Sequence, residues 1–454
     1  MPRIATRCAV GLVVAGLAGL ASACGSNEEG APDGGGDPTG DGATTDPDAA
    51  TTTVLPPGYT PGIEELAFRC KLINDRNLDN PTANNTHGRA NVRGTDLGIP
   101  LEHAGDLYFF FGDTAGAQVI WSLGPESLPD AVGFAAQGAA AVAEDPMVLC
   151  SQLRFLTTGG ASGTAQGDFA GAHMTPPAGR PIAEFIHNPS GPRGQNAFPN
   201  LPGDFEVPSG AFSHGGSIYL FYTIINQDPF EMRGSYLAKW AAPSTTGRPN
   251  YAIQYHVDQR FDGNGALRGD FINIAALVDG DYIYMYGTGA YRASPIHLAR
   301  KPLTSLGTEG GYERYDAATN RWVAPRAVTQ PIVATPHIGE LSVRYYPEIG
   351  RYVMLDQEGS AGNRIAARFA EAPEGPWSAP VTVATMEDAA FRAKHCCTGT
   401  DCPGERLFEC QHAGFYGTYM LPTVATNTDG TFSITFLMST WIPYNVALMT
   451  ATFR

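Results

Sequence analysis

Short apolar runs, each broken by a glycine-bearing turn, dominate the chain from about residue 60 onward. The clearest is GTDLGIPLEHAGDLYFFFGDT, Gly94 to Thr114, where an apolar strand, a His-Ala-Gly-Asp turn and an aromatic strand follow one another. Runs this short, rich in Val, Ile, Tyr, Phe and Thr and bounded by turn residues, predict β-strands rather than helices. The plan returns in GAFSHGGSIYLFYTI from Gly210, FINIAALVDGDYIYMYGTG from Phe271, LSVRYYPEIGRYVMLDQE from Leu341 and MLPTVATNTDGTFSITFLMST from Met420. The turns HAGD, HGGS, DGD, EIG and TDG supply the positive-φ residues that tight hairpins need.

Behind several hairpins lies a further apolar segment: SYLAKW, IHLARK, NRIAARFAEAPEGPWSAP and NVALMTATFR. Each reads as the third strand of a small antiparallel sheet. Recurring meanders of three or four strands predict an all-β, five-bladed β-propeller over residues 59–454. The alternative is a β-sandwich with coincidental hairpins. The long non-repeating stretch 115–207 after the first hairpin is expected to be an insertion, either an elaborated loop or outer strands on one face.

Composition narrows the function classes. With 29 basic and 45 acidic residues the formal charge is −16, so no basic footprint exists for nucleic acid. At the N-terminus, Arg3 and Arg7 precede an apolar segment from Ala9 to Ala23, too short to span a membrane but suited to a signal peptide over residues 1–24. Ala21-x-Ala23 fits an ordinary signal-peptidase site, and small residues before Cys24 resemble a lipobox, although Leu20 stands one place too early. Residues 25–58 are mostly Gly, Asp, Thr, Pro and Ala, with two glutamates and no basic residue, a stalk that cannot bury a core. A flexible stalk directly after an anchoring cysteine makes sense as a tether, which favours lipidation of Cys24 and a lipoprotein at the bacterial surface; the other outcome is free secretion. Six further cysteines, Cys70, Cys150, Cys396, Cys397, Cys402 and Cys410, are expected to form disulfides in an exported chain. The last four match no common zinc spacing, and His173, His214, His256, His297 and His337 show no ligand spacing, so neither metal nor cofactor is expected.

Candidate chemistry lies at the open end of the first hairpin. Counting outward from a two-residue Ala104-Gly105 turn sets Asp96 directly opposite Asp113, with Cβ atoms about 4.5–5.5 Å apart. A loop one residue longer would put them on opposite faces. Crowding drives the pKa values of two carboxyls apart, the division a glycosidase needs between a proton donor and an ionised partner. A close pair predicts retention of configuration. The alternative is that each aspartate caps a turn or pairs with an arginine.

GTDLGIPLEH…LYFFFGDT resembles the opening of five-bladed propellers long catalogued as a domain of unknown function, a family that includes retaining endo-D-arabinanases. The likeness extends through VPSGAF (Val207–Phe212), YIYMYGTGAYR (Tyr282–Arg292), HLAR (His297–Arg300), GELSVRYYP (Gly339–Pro347), GFYGTYMLP (Gly414–Pro422) and STWIPYNVALM (Ser439–Met449). It implies an exported glycoside hydrolase of furanosyl polysaccharide, with Asp96 as nucleophile and Asp113 as acid/base. The long insertion and the cysteine-rich segment 395–410 depart from what the likeness leads one to expect, and both bear on the cleft.

Glu206, Arg292, Glu340, Tyr416, Trp441 and Asn445, with Tyr444, are the candidate substrate-binding residues. Carboxylates and Asn bridge sugar hydroxyls, aromatic faces stack on sugar C–H surfaces, and Arg292 holds a neighbouring carboxylate ionised. For each, a structural role in a salt bridge, turn cap or aromatic core competes. The competing functions are a non-catalytic carbohydrate-binding propeller and a glycosidase for another furanosyl polymer, such as L-arabinan or a fructan, since fold alone does not select among them.

Overall fold

A computed structural model describes residues 54–454 except for 74–81, 91, 115–129, 158–184, 187–202, 204, 228, 247–248, 250, 262–264, 360–363 and 399–401. The expected signal segment, Cys24 and the stalk as far as residue 53 lie outside the described residues. The stalk's last expected residues are docked: Leu55 donates its N–H to the Ile349 carbonyl, and Arg351 donates to the Leu55 carbonyl at 2.9 Å. Packing in this unit therefore starts by Leu55, ahead of the expected boundary at 59.

The chain is predominantly β, and each expected hairpin forms. A first meander runs Leu97–His103, Asp106–Asp113, Asp130–Ala135 and Leu153–Phe155. The second runs Phe205–His214, Ser217–Gln227, Phe230–Trp240 and Tyr251–Gln259. A third takes Asn273–Asp279, Tyr282–Thr288 and Ser294–Pro302, extended by Glu313–Asp316 and Arg321–Val323. The fourth is Val333–Tyr346, Arg351–Glu358, Arg364–Ala370 and Val381–Thr385. The last, Phe415–Thr426, Phe432–Thr440 and Asn445–Phe453, takes the early strand Ile63–Lys71 as its outer edge, so both ends of the folded chain share one sheet. Ala104 and Gly105 both have positive φ (52° and 87°), the two-residue turn the sequence demands.

Hydrogen bonding does not divide these meanders as the repeats suggest. The pairs Ser294–Ile338 and Ile296–Val333 merge the third and fourth into one nine-stranded sheet, and no sheet closes on itself among the described residues. Side-chain packing links the meanders instead. Phe111 meets Leu437 and Leu448 between first and fifth; Tyr108 and Ile99 meet Tyr222 and Trp240 between first and second. Phe212 and Phe221 meet Ile274 and Met285 between second and third, Tyr286 meets Val343 and Met354 between third and fourth, and Phe369 meets Phe432 and Phe453 between fourth and fifth. Each such side chain contributes about 1.5–3 kcal/mol by leaving water. The leading strands of all five meanders line one cavity of about 210 Å³, bordered by Leu101, Phe212, Leu277, Arg344 and Met420 among others. Strands of consecutive meanders facing a shared axis are the organisation of a propeller.

The 115–207 stretch is only partly an insertion. Residues 130–135 and 153–155 are outer strands of the first meander, with a helix at Gly138–Glu144 between them. The six cysteines pair as Cys70–Cys150, Cys396–Cys410 and Cys397–Cys402. The first ties the edge strand of the last sheet to the first sheet's outer layer.

Candidate active site

Four of the five leading strands break register near their start, between Leu97 and Ile99, Pro208 and Gly210, Ile338 and Leu341, and Tyr416 and Tyr419. Such bulges re-aim the side chains beside them and are common next to active sites. The acids at or beside these breaks include Asp96, Glu206 and Glu340, and Tyr416 stands at the fourth; all were singled out by the sequence.

The bulge corrects the expected geometry of the opening hairpin. The count from Ala104-Gly105 holds from His103–Asp106 out to Ile99–Phe110, and there Gly98 adds one unpaired residue. Leu97 consequently faces Phe111, and the Gly112 N–H donates to the Asp96 carbonyl at 3.1 Å. Asp96 is thus opposite Gly112, not Asp113. Leu97 is held at φ 59° and Gly98 at φ 87°. A non-glycine residue there costs about 1–3 kcal/mol, offset in part by the Leu97 N–H donating to Ser439 Oγ at 2.8 Å. Asp113 pairs with a third acid, Asp130, on the next strand, past a second register break at Gly112.

Most of the motif GTDLG…FGDT now has a physical reason. The Thr95 hydroxyl donates to the Gly112 carbonyl at 3.0 Å and meets the Thr114 hydroxyl at 2.9 Å. Gly94 lies against the Tyr444 backbone, where a Cβ would come within 3.0 Å of its carbonyl. At Gly112 a Cβ would stand 2.4 Å from Asp96 Oδ1, so only glycine leaves room for the carboxylate.

Asp96 is buried at 8% exposure. Its Oδ2 accepts the Tyr416 hydroxyl at 2.9 Å and the Tyr444 hydroxyl over a short contact, while Oδ1 has no partner among the described residues. Burial pushes its carboxyl up to about 7; the two phenol donors pull it back, Glu340 adds to the rise and Arg292 opposes it. Arg292 places one guanidinium nitrogen 3.2 Å from both Glu340 oxygens and lies over the Tyr416 ring at 5.1 Å. Asp130, 4% exposed, is driven well above the usual carboxylate range by burial, then by the charges of Asp113, Glu206 and Asp96.

The structure therefore groups Asp96 with Arg292, Glu340 and Tyr416, and Asp130 lies within electrostatic reach of Asp96, Asp113 and Glu206. Tyr444, read from sequence as a stacking or packing residue, is a hydrogen-bond donor to Asp96 instead. Trp441 is 46% exposed in the same turn, its Nε1 donating to the His412 carbonyl at 3.1 Å. Asn445 is fully buried opposite Thr440 and presents no surface to a ligand. The sequence reading passes over Asp130; the one signal for it is an acid heading the alternating run DAVGFA. Among the described residues no group of three His, Cys, Asp or Glu is placed to hold a metal ion.

A buried carboxyl titrating near neutrality, anchored through one oxygen and without a partner among the described residues at the other, beside a second carboxyl pair, is equipped for acid–base and nucleophilic chemistry.

The family model for the domain of unknown function DUF4185 matches residues 82–450. No curated protein matches the chain. Among solved structures, a Bacteroides ovatus ATCC 8483 protein described as a candidate hydrolase superimposes with TM-score 0.51 at 13% identity, covering 81% of this chain and 88% of that one. That likeness shows a shared fold. The catalytic domain of the Coprinopsis cinerea GH62 α-L-arabinofuranosidase gives TM-score 0.46 at 11% identity, over 87% of this chain and 98% of that one.

Proposed function

The chain belongs to the DUF4185 family, and from that premise we propose that it is an exported glycoside hydrolase of furanosyl polysaccharide, a retaining endo-D-arabinanase on a propeller of five blades. The observation that carries this reading is Asp96: a carboxyl buried at the head of a leading strand, raised to about 7, with one oxygen held by two phenols and the other without a partner among the described residues. A lectin gains nothing from burying a carboxyl at such cost. The five blades are the five meanders, whose leading strands share one cavity and whose cores follow one another in a ring.

Asp113 protonates the leaving oxygen as the Asp96 carboxylate attacks the anomeric carbon and forms a glycosyl-enzyme; Asp113 then takes a proton from the water that attacks the anomeric carbon, which releases the sugar. Retention rests on the family likeness, since the direct opposition of the two aspartates does not hold. Glu206, Arg292 and Glu340 line the same region, and Trp441 is the stacking platform at its rim. Export and a lipid on Cys24 belong to the same reading, tested by mass spectrometry of the mature N-terminus, where a diacylglyceryl mass on Cys24 is expected.

The deciding experiment is a panel of D-arabinan, L-arabinan, fructan and xylan, assayed by product chromatography with the purified protein and its Asp96→Asn and Asp113→Asn variants. Cleavage of D-arabinan into oligosaccharides, lost in both variants, is expected. Full residual activity in both variants ends the proposal, and cleavage of another polymer alone replaces its substrate.

The two phenols give a further prediction. Each donor favours ionised Asp96, so Tyr416→Phe and Tyr444→Phe raise its pKa and move the acid limb of kcat/KM above its position near pH 7. Each is expected to lower kcat about tenfold at pH 6 and less at pH 8. Unshifted acid limbs in both variants would show that Asp96 does not control that limb.

A further inference from the structure

Asp130 heads the strand Asp130–Ala135 and is the cross-strand partner of Asp113. Two carboxyls at one rung repel each other when both are charged, and among the described residues no arginine, lysine or histidine contributes to the charge around Asp130. What faces it is acidic or phenolic: the carboxyls of Asp113, Glu206 and Asp96, and the hydroxyls of Tyr222, Tyr236 and Tyr251 from the second meander. Those three hydroxyls and Asp130 Oδ1 are all sealed from solvent without a hydrogen-bond partner among the described residues. Among the described residues, a carboxylate buried there would face like charge and the hydroxyls of three tyrosines that burial keeps protonated. A neutral carboxylic acid has one O–H to donate, and its rung partner Asp113 keeps a carboxyl oxygen that accepts it whether protonated or ionised.

Resting on the reading of Asp113 as acid/base, we propose that Asp130 is a positioning residue that stays protonated while the enzyme works and donates its carboxyl O–H to Asp113. The bond fixes the rotamer of Asp113 in the resting site. When Asp113 has given its proton to the leaving oxygen, the same O–H stabilises the carboxylate left behind, and it remains in place as Asp113 recovers a proton from the attacking water. Asp130 exchanges no proton with substrate. Its contribution ends when high pH removes its own proton and sets two negative charges on one rung.

The test pairs kinetics with a spectrum that does not depend on turnover. Asp130→Ala is expected to lower kcat about 30-fold with KM within about twofold, and Asp130→Asn, whose amide N–H can donate in the same direction, to restore kcat to within about fivefold of wild type. In Asp130→Asn the alkaline limb of the kcat profile moves to higher pH, because nothing is left to ionise at that position; a residue that only fills space would leave that limb where it is. Infrared difference spectra of wild type minus Asp130→Asn at pH 7 should show the C=O band of a protonated carboxyl. A carboxylate band there instead overturns the proposal, as does Asp130→Asn as inactive as Asp130→Ala, or Asp130→Ala with wild-type kinetics. If the protein cleaves no polysaccharide, the glycosidase reading falls, yet the infrared result still decides the protonation of Asp130.

Discussion

Asp96→Asn is expected to remove at least about 10³-fold of the activity and at the same time to stabilise the fold at neutral pH. The carboxyl is raised from its ordinary 3.8 to about 7, first because burial disfavours the charge. Below about pH 3.8 it is protonated in both folded and unfolded chains and affects nothing. Between about 4 and 7 the unfolded chain has lost the proton while the folded one keeps it, so the folded state binds more protons and stability falls as pH rises. Above 7 the penalty is complete, with a ceiling of about 4 kcal/mol set by those two values. Asparagine carries no charge to bury and can still accept a phenol hydroxyl. Thermal melts should show variant and wild type coinciding near pH 3.5, with the variant melting a few degrees higher at pH 8. A variant less stable than wild type at pH 8 would mean that the fold satisfies the charged Asp96 carboxylate rather than penalising it. The trade is physical: a carboxyl desolvated for reaction is one the fold would be more stable without.

Gly112→Ala is expected to damage the site with a single methyl group. Its Cβ would lie 2.4 Å from Asp96 Oδ1 and 2.9 Å from the Leu97 side chain, with Leu97 already held at positive φ. The Asp96 carboxylate cannot swing aside without leaving the Tyr416 and Tyr444 hydroxyls. Either it gives up those bonds or the strand Asp106–Asp113 shifts, and the latter carries Asp113 with it. A displacement near 1 Å at reacting groups costs about 100-fold in rate, and overpacking of this kind costs about 1–3 kcal/mol in stability. The expected outcome is kcat lowered about 100-fold, KM changed far less, and a melting temperature lower by a few degrees. Gly105→Ala is the control: a Cβ there meets nothing within 4 Å, although its φ of 87° makes it mildly destabilising. Near wild-type kcat in Gly112→Ala would show that Asp96 is not held against this strand.

Much of the candidate site is legible in the sequence. The glycines at turn positions announced the hairpins, and Ala104-Gly105 forms the two-residue turn that its neighbours demand. Asp96, Glu206, Glu340 and Tyr416 stood out as polar residues near the heads of apolar strands, and those strands line one cavity. Arg292 was read as a cation for a carboxylate, and it has one: it pairs with Glu340, and its charge reaches Asp96 only against that of its partner.

What failed was register. Counting across a hairpin assumes one residue per rung, and a bulge breaks that count without any marker that distinguishes its glycine from the others in the motif. Gly98 at φ 87° moved Asp96 opposite Gly112, and the skipped rung at Gly112 brought Asp130 to Asp113. Asp130 was hidden because its strand follows residues that carry no periodic signal. Asn445 had the right chemistry but was sealed inside the last hairpin.

By itself the sequence determined the all-β class, the repeated meander, the disulfide-forming cysteines and the identity of most acids in the site, because turn chemistry and period-two patterning are local properties of the chain. Only the tertiary structure decided which acids face one another, that Tyr444 is a donor rather than a platform, and that the third and fourth meanders share hydrogen bonds. These depend on bulges and on contacts between residues hundreds of positions apart, such as Tyr444 with Asp96. Burial, which makes Asp96 a near-neutral acid and lifts Asp130 with it, is set by the packed whole rather than by any stretch of the chain.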